Sequence, residues 1–336
     1  MANDMNRVLI ETIVKKTLKD LKNSPERSTR NLVDMALHFS DGRFQRSFFE
    51  TASTMLENPV SPYYDLIKDA AAHVDPERIL TFGMNLGYNS CTVGAKKIRE
   101  NESCCGFNIP WTISIALSEQ RLNDDPECYS AVLTEGEDLG IYTWMLSYRG
   151  RLQDTLPLIQ AHPDSAFILF CDPEDITPTF LDSIMEVKHL MLAIRFGEDL
   201  APVCNTLRDR ELLYSLYHIY GEEDADEVMC GDLFISAKQM HPIFTAVYPE
   251  ETCPEETAAS VYQAILKDRK AQTFQTVAWD LAHDTSYIDG IISDDSCTVF
   301  FAEDGRLHMP GKSYSLPLSL FEQSLRDILK QAFPKK

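Results

Sequence analysis

Residues 109–117 read Ile-Pro-Trp-Thr-Ile-Ser-Ile-Ala-Leu, a short apolar run rich in β-branched residues that is typical of a buried strand. Five similar runs follow, and stretches with helical spacing of apolar residues alternate with them. Strands that are apolar on both faces and alternate with helices predict a parallel sheet. Six such units favour a partial TIM-like (β/α)6 barrel of the α/β class, with an open doubly wound sheet as the architectural alternative. The later runs lie at 141–146, 166–170, 190–194, 212–219 and 243–248, and the helical stretches at 127–139, 152–161, 178–187, 200–210, 225–239 and 255–270.

The chain on either side of this alternation has a different texture. Residues 1–104 have helical spacing and no convincing strand pattern, so we expect a helical N-terminal region there. We expect the barrel over residues 105–270 and an extension over residues 271–336. We expect the β/α alternation to stop after residue 270, although residues 276–282 are strand-like. Asp304-Gly305 between two β-rich runs predicts a hairpin, and residues 318–333 predict an amphipathic helix.

The charge balance excludes some partners. The 336 residues include 31 Lys and Arg against 52 Asp and Glu, a formal net charge of −21. Binding to nucleic acid requires a basic surface that neutralises phosphates, so this charge argues against it, and it also disfavours anionic membranes. Acidic runs at 222–227 and 249–256 are typical of solvated helix starts, and docking of a basic partner is the alternative interpretation.

The expected location follows from the apolar segments and the cysteines. The sequence is 44% hydrophobic, as in a folded protein, but its apolar runs are much shorter than a membrane span. Residues 1–9 carry charges where a secretory signal would be apolar. We therefore expect a cytoplasmic protein whose nine scattered cysteines stay reduced.

Four phrases of the sequence resemble, in order, segments of the bacterial radical S-adenosylmethionine (SAM) proteins. Residues 105–117 and 161–170 resemble the first and third strands of that family, and 135–142 (Glu-Gly-Glu-Asp-Leu-Gly-Ile-Tyr) resembles its approach to the second strand. Residues 279–290 (Trp-Asp-Leu-Ala-His-Asp-Thr-Ser-Tyr-Ile-Asp-Gly) resemble its C-terminal segment. The resemblance implies a six-unit partial barrel, in agreement with the alternation, and a [4Fe–4S] cluster that leaves one iron open for SAM.

The residues that carry the family's chemistry are replaced in this chain. The family holds its cluster with three thiolates in the loop after the first strand, whereas residues 118–128 contain one cysteine, Cys128. The family's Gly-Gly-Glu turn, which implies contact with the SAM amino group, corresponds to Tyr148-Arg149-Gly150. Arg149 would repel the ammonium group of SAM. The resemblance therefore implies a degenerate member that has lost its [4Fe–4S] and SAM sites, and we expect no cofactor.

Two function hypotheses from different classes follow. The first is a radical-SAM-like pseudoenzyme that acts as a non-catalytic binding or partner protein for a peptide, a small molecule or an active radical SAM relative. The second is an enzyme with new acid–base or metal chemistry at the barrel mouth. A further alternative is a cluster held by scattered cysteines, although no Cys-x2-Cys spacing occurs.

Candidate site residues lie at the carboxyl ends of the predicted strands, where barrels place their functional groups. Asp172, Asp280 and His283 are also typical of helix caps and turns. A salt bridge inside the mouth accounts equally well for Arg195 and His218. The candidates for acid–base chemistry are Asp172, His218, Asp280 and His283, and those for ligand contact are Arg195, Tyr220 and Tyr248.

Overall fold

The computed structural model describes residues 2–21, 23–40, 42–198, 200–309 and 317–335. The described residues up to Cys105 are helical apart from short connections, in agreement with the spacing of their apolar residues. Within the described residues, no helix is both long and apolar enough to cross a membrane. These first helices are α1 (Ala2–Leu21), α2 (Pro25–Phe39), α3 (Arg43–Met55), α4 (Pro62–His73), α5 (Pro76–Gly83), a π-helix (Met84–Gly94) and α6 (Ala95–Cys105).

The strands follow the six apolar runs closely, and three more are present. They are β1 (Thr112–Leu117), β2 (Thr143–Tyr148), β3 (Ala166–Cys171), β4 (Leu190–Arg195), β5 (Tyr214–Tyr220), β6 (Phe244–Pro249), β7 (Val277–Asp280), β8 (Phe300–Phe301) and β9 (Leu307–His308). The strand order is β7-β6-β5-β4-β3-β2-β1-β8-β9. Pairing is parallel between β1, β2 and β3, between β5, β6 and β7, and between β1 and β8. The parallel sheet curls into a half-barrel surrounded by helices, so the predicted partial TIM-like barrel is confirmed.

The hairpin of the extension is also confirmed, because β8 and β9 pair antiparallel around Asp304-Gly305. Two features of the C-terminal part differ from prediction. The strand expected at 276–282 is present as β7, but the β/α alternation does not stop after residue 270, since β7 continues the parallel sheet and a helix follows it directly. The last helix begins at Leu325 rather than at residue 318, because Ser324 caps it by accepting a hydrogen bond from Asp327 N.

The helices after β1 lie between the strands as the alternation predicts. One predicted helix, residues 225–239, is broken at Gly231, where the chain turns between two shorter helices. The helices are α7 (Glu119–Asp124), α8 (Pro126–Leu139), α9 (Leu156–Gln160), α10 (Pro178–Ser183), α11 (Ala201–Asp209), α12 (Ala225–Cys230), α13 (Asp232–Ala237), α14 (Glu255–Ala271), α15 (Leu281–Ile292) and α16 (Leu325–Ala332), with 3-10 turns at Leu152–Thr155, Pro173–Asp175 and Lys238–Met240.

The chain forms two compact units. Unit 1 comprises Met1–Ser40, Gln45–Leu80 and Ala193–Asp284, and unit 2 comprises Asp41–Phe44, Thr81–Leu192 and Thr285–Lys336. In unit 1, α12, α13 and α14 pack on one face of β5–β7 around a buried apolar cluster. The cluster consists of Tyr220, Ala225, Val228, Leu233, Phe234, Val247, Val261, Ile265 and Ala278.

In unit 2, α8 and the π-helix approach each other closely at a pair of glycines. Gly140 ends α8 with φ +110°, in the left-handed region, and a Cβ placed on it would lie 2.6 Å from the Gly94 carbonyl oxygen. Its residue position falls in the phrase 135–142 that resembles the radical SAM proteins. The glycine at this position of the phrase is therefore explained by helix packing in this chain.

Two buried carboxyl groups of unit 2 hold the chain that leads into β1. Asp289 accepts hydrogen bonds from Trp111 N at 3.0 Å and from Thr298 Oγ1 at 3.0 Å. Glu102 accepts one from Ile109 N at 2.8 Å. Burial raises the pKa of Asp289 to about 7, and the nearby Glu102 carboxylate adds to this shift.

Replacing Gly140 with Ala tests the close approach. We expect the free energy of unfolding to fall by about 2–4 kcal/mol, because the new Cβ combines left-handed strain with overlap on the Gly94 backbone. Gly87→Ala is the matched control, since a Cβ at that helical position meets nothing within 4 Å. Urea unfolding of both variants measures the difference, and an equal stability of the two would contradict the packing.

Asp289 makes the stability of unit 2 depend on pH. Its carboxyl group has a pKa of about 7 in the folded protein, against an ordinary pKa of 3.8 for an aspartate, so the folded state binds the proton more tightly. The free energy of unfolding therefore decreases as the pH rises from about 4 to about 7, by up to about 4 kcal/mol. Urea unfolding across this range should give a shallower slope for Asp289→Asn than for wild type, and parallel slopes would show that Asp289 does not titrate there.

Candidate functional site

In unit 1, three neighbouring parallel strands end side by side. Tyr220 is the last residue of β5 and lies opposite Pro249, and Asp280 is the last residue of β7 and lies opposite Val247. Side chains alternate between the faces of a strand, so Tyr220 and Asp280 share the face that α12–α14 cover. Tyr248, one residue before Pro249, projects from the opposite face and is 38% exposed.

Asp280 and His283 form a hydrogen-bonded pair at this edge. The buried Asp280 carboxylate caps α15 through Oδ1, which accepts from Ala282 N at 3.0 Å and from His283 N at 2.8 Å. Its Oδ2 lies 3.0 Å from His283 Nδ1. This hydrogen bond raises the pKa of His283, in spite of partial burial of the ring. In the neutral imidazole, Nδ1 carries the proton that Asp280 accepts, and Nε2 keeps its lone pair.

A second carboxylate fixes the position of the pair. Asp284 accepts two hydrogen bonds from the Arg269 guanidinium, at 2.7 and 3.1 Å, and one from Asp280 N at 2.9 Å. The Tyr262 ring stacks on the His283 ring with centroids 4.7 Å apart and planes 12° from parallel. Arg269 and Tyr262 both come from α14, seven residues apart on one helix face. They are positioning residues that were not predicted from the sequence. Their spacing of seven residues was the one feature that indicated a shared helix face.

Chemically, this arrangement offers a general base. Asp280 holds the imidazole in one tautomer, as the acid does in nucleophile–base–acid constellations, and the partly exposed His283 ring keeps Nε2 for proton transfer. Of the predicted acid–base candidates, the structure brings Asp280 and His283 together.

The other candidates of unit 1 have different surroundings. His218 lies on the helix-covered face of β5, with its ring 6.3 Å from that of Phe196, and burial lowers its pKa. Its charged neighbours are Asp224, Glu227 and Arg195, so it faces the start of α12 rather than Asp280. Tyr220 is fully buried, and its hydroxyl has no hydrogen-bond partner among the described residues. Burial raises the pKa of Tyr220, and the Asp280 carboxylate adds to the shift.

In unit 2, the residues that the resemblance assigns to the former radical SAM sites follow β1 and β2. Cys128 lies in the first turn of α8, and burial followed by the Asp125 carboxylate raises its pKa. The Tyr148 ring packs on Gly150, because a Cβ there would lie 2.5 Å from that ring. Arg149 is exposed and lies 3.5 Å from Glu303.

Asp172 begins the 3-10 turn after β3. The Asp175 carboxylate accepts a hydrogen bond from Asp172 N at 3.2 Å, which is a capping interaction. The interpretation of Asp172 as a helix-start residue therefore agrees with its geometry.

A further polar chain in unit 2 connects Ser130, His162 and Glu137. Ser130 Oγ lies 3.1 Å from His162 Nε2, and His162 Nδ1 lies 3.2 Å from Glu137 Oε1. Ser130 lies within α8, where the backbone N–H groups donate to carbonyls of the helix. His162 precedes β3, at the amino end of the strand. The amino ends of barrel strands contribute to stability rather than to function. We therefore infer that these three side chains anchor the loop that enters β3.

Among the described residues, no three His, Cys, Asp or Glu side chains come together in an arrangement that could hold a metal ion. None of the nine cysteines, all of which lie in the described residues, takes part in a disulfide bond. Cys91, Cys171, Cys204 and Cys297 are buried, Cys105, Cys128 and Cys253 are half-buried, and Cys104 and Cys230 are exposed.

Comparison with known proteins gives matches in structure and none in sequence. No family model matches the chain, and no curated protein matches it. Streptococcus suis SuiB bound to the precursor peptide SuiA matches with a TM-score of 0.51 and 9% identity over 72% of this chain and 70% of that chain. SuiB bound to S-adenosylmethionine matches with a TM-score of 0.50 and 8% identity over 89% of this chain and 80% of that chain. The chain has a radical SAM-like fold. At this identity, the likeness to SuiB establishes the fold alone.

Changing Asp280 tests the pair. Asn is also a good helix cap, so Asp280→Asn retains the backbone contacts but removes the negative charge that favours the imidazolium form of His283. We expect the pKa of His283 to lie above 6.5 in the wild type and to fall in the variant. NMR titration of the imidazole nitrogens measures both values. Glu255→Gln removes a carboxylate from the start of α14 and serves as the control, and an unchanged His283 pKa in Asp280→Asn would contradict the pairing.

Proposed function

We propose that this chain is a radical-SAM-like protein that binds a peptide and holds neither a [4Fe–4S] cluster nor SAM. The observation that carries this proposal is the set of groups after β1, where one thiol, Cys128, stands in residues 118–128. A site-differentiated cluster of this kind requires three thiolates, so we infer that the groups present do not fit it.

The surroundings of the β2 end support the same proposal. The Tyr148 ring covers Gly150, so a bulky side chain stands in the turn that the resemblance assigns to the family's small, acidic turn. Arg149 brings a guanidinium to the same turn, where it would oppose the ammonium group of SAM. Both substitutions disfavour SAM independently of the missing thiolates.

Support for a peptide as the ligand comes from the fold. SuiB, which has the same fold, has been crystallised with the precursor peptide SuiA. A barrel that keeps its architecture without its cluster retains strand ends and loops on which a peptide can dock. Binding without radical chemistry is therefore the function that this combination favours.

The test is reconstitution of the full chain with iron and sulfide under anaerobic conditions. We expect no stoichiometric iron, no visible absorption of a cluster and no cleavage of added SAM to 5′-deoxyadenosine. Cys128→Ser is the matched control and should give the same iron content as the wild type. Stoichiometric iron that depends on Cys128, together with SAM cleavage, would overturn the proposal.

A further inference from the structure

The segments that follow β5 and β6 in unit 1, each a loop and the start of the helices after it, carry a concentration of negative charge. Residues 221–237 and 250–266 contain ten Asp and Glu and neither Lys nor Arg. They are Glu222, Glu223, Asp224, Asp226, Glu227, Asp232, Glu250, Glu251, Glu255 and Glu256.

Part of this charge converges at one place. Glu250 N donates to the Tyr220 carbonyl at 2.9 Å, and a Cβ placed on Gly221 would lie 3.3 Å from Glu250 Oε2. Burial raises the pKa of the Cys253 thiol, and the Glu222 and Glu250 carboxylates raise it further, so both carboxylates lie near this thiol. We call Glu222, Glu250 and Glu251 the acidic edge, and none of the three has an ion-pair partner among the described residues.

A buried hydroxyl points independently to a ligand at the acidic edge. Tyr220 is 0% exposed, and its hydroxyl has no hydrogen-bond partner in the described part of the chain. The Asp280 carboxylate and the Cys253 thiol are the titratable groups that act on it, so it lies near the loop after β6, which carries Glu250 and Glu251. An unsatisfied buried hydroxyl costs about 1–3 kcal/mol, which a ligand that donates a hydrogen bond recovers.

The chemistry of the acidic edge selects an organic cation over a metal ion. A divalent metal requires three or more ligands in one coordination sphere, and the described residues contain no such group. A primary ammonium or a guanidinium needs less strict geometry, because each N–H donates separately to a carboxylate or a hydroxyl.

We propose that the acidic edge binds the side chain of a Lys or Arg residue of the peptide ligand. The inference that the ligand is a peptide rests on the proposed function. The inference that the bound group is a cation rests on the carboxylates of the acidic edge and on the Tyr220 hydroxyl. The ammonium or guanidinium lies between Glu222 and Glu250 and donates a hydrogen bond to the Tyr220 hydroxyl.

The experiment uses the full chain and two fluorescent peptides that are identical except at one position, which is Lys in one and Nε-acetyl-lysine in the other. At low salt, fluorescence anisotropy should give about tenfold tighter binding of the Lys peptide. Glu222→Gln/Glu250→Gln/Glu251→Gln should abolish this preference. Glu77→Gln/Glu127→Gln/Glu186→Gln removes the same charge from exposed positions elsewhere and should keep it. Equal loss in both triple variants would overturn the proposal, because net charge alone would then account for binding.

Tyr220→Phe separates the hydroxyl from the carboxylates. It removes a buried group that has no partner among the described residues, so the variant should be as stable as the wild type or more stable. We expect it to bind the Lys peptide several-fold more weakly and the acetylated peptide unchanged. Unchanged affinity for the Lys peptide would overturn the role of Tyr220.

Two outcomes distinguish this inference from the proposed function. If both peptides bind the wild type equally, peptide binding stands and the acidic edge is not its cation site. If neither binds, calorimetry with agmatine, a small guanidinium amine, decides. Binding of agmatine that the acidic-edge triple variant loses supports the cation site and contradicts the peptide, and no binding overturns both.

Discussion

Parallel pairing of the strands is the constraint on which the rest of this structure depends. In a parallel sheet, the carboxyl ends of neighbouring strands meet at one edge, so each strand delivers its following loop to the same side. In unit 1 this brings the ends of β5, β6 and β7 together, with Tyr220 opposite Pro249 and Asp280 opposite Val247. Residues sixty positions apart in the sequence thereby come to share one electrostatic environment.

Much of the barrel could be predicted because its strands are buried on both faces and read as continuous apolar runs. The run at 166–170 became β3 (Ala166–Cys171) with a shift of one residue at its end. Features that depend on distant contacts could not be predicted in this way. The texture of residues 276–282 indicated the strand β7, but it did not show that β7 would pair in parallel with β6 and continue the sheet.

The candidate site was predicted in part. Asp280 and His283 were recognisable because a carboxylate three residues before a histidine suits a helix start, and the structure pairs them. Arg269 could not be assigned to Asp284 from sequence, since the pair is fixed by the packing of α14 against the start of α15. Alternation along β5 did carry usable information: His218 and Tyr220 are two residues apart and must share a face. The prediction that placed Tyr248 in the barrel mouth together with these two residues did not take the alternation of side chains between the two faces into account.

The two roles of Asp280 depend on one another. Its Oδ1 is held by two backbone N–H groups at the start of α15, and this leaves Oδ2 pointing in a single direction, toward His283. Turning the carboxylate away would leave two amides unsatisfied, at a cost of about 1–3 kcal/mol for each. The imidazole orientation is therefore maintained by the helix cap whether or not a ligand is present. The acidic edge has no such internal support, because its carboxylates repel one another and no cation of the described residues separates them. The orientation of the Asp280–His283 pair is therefore set before a ligand binds. The loops after β5 and β6 are the part of the site that a cationic ligand would order.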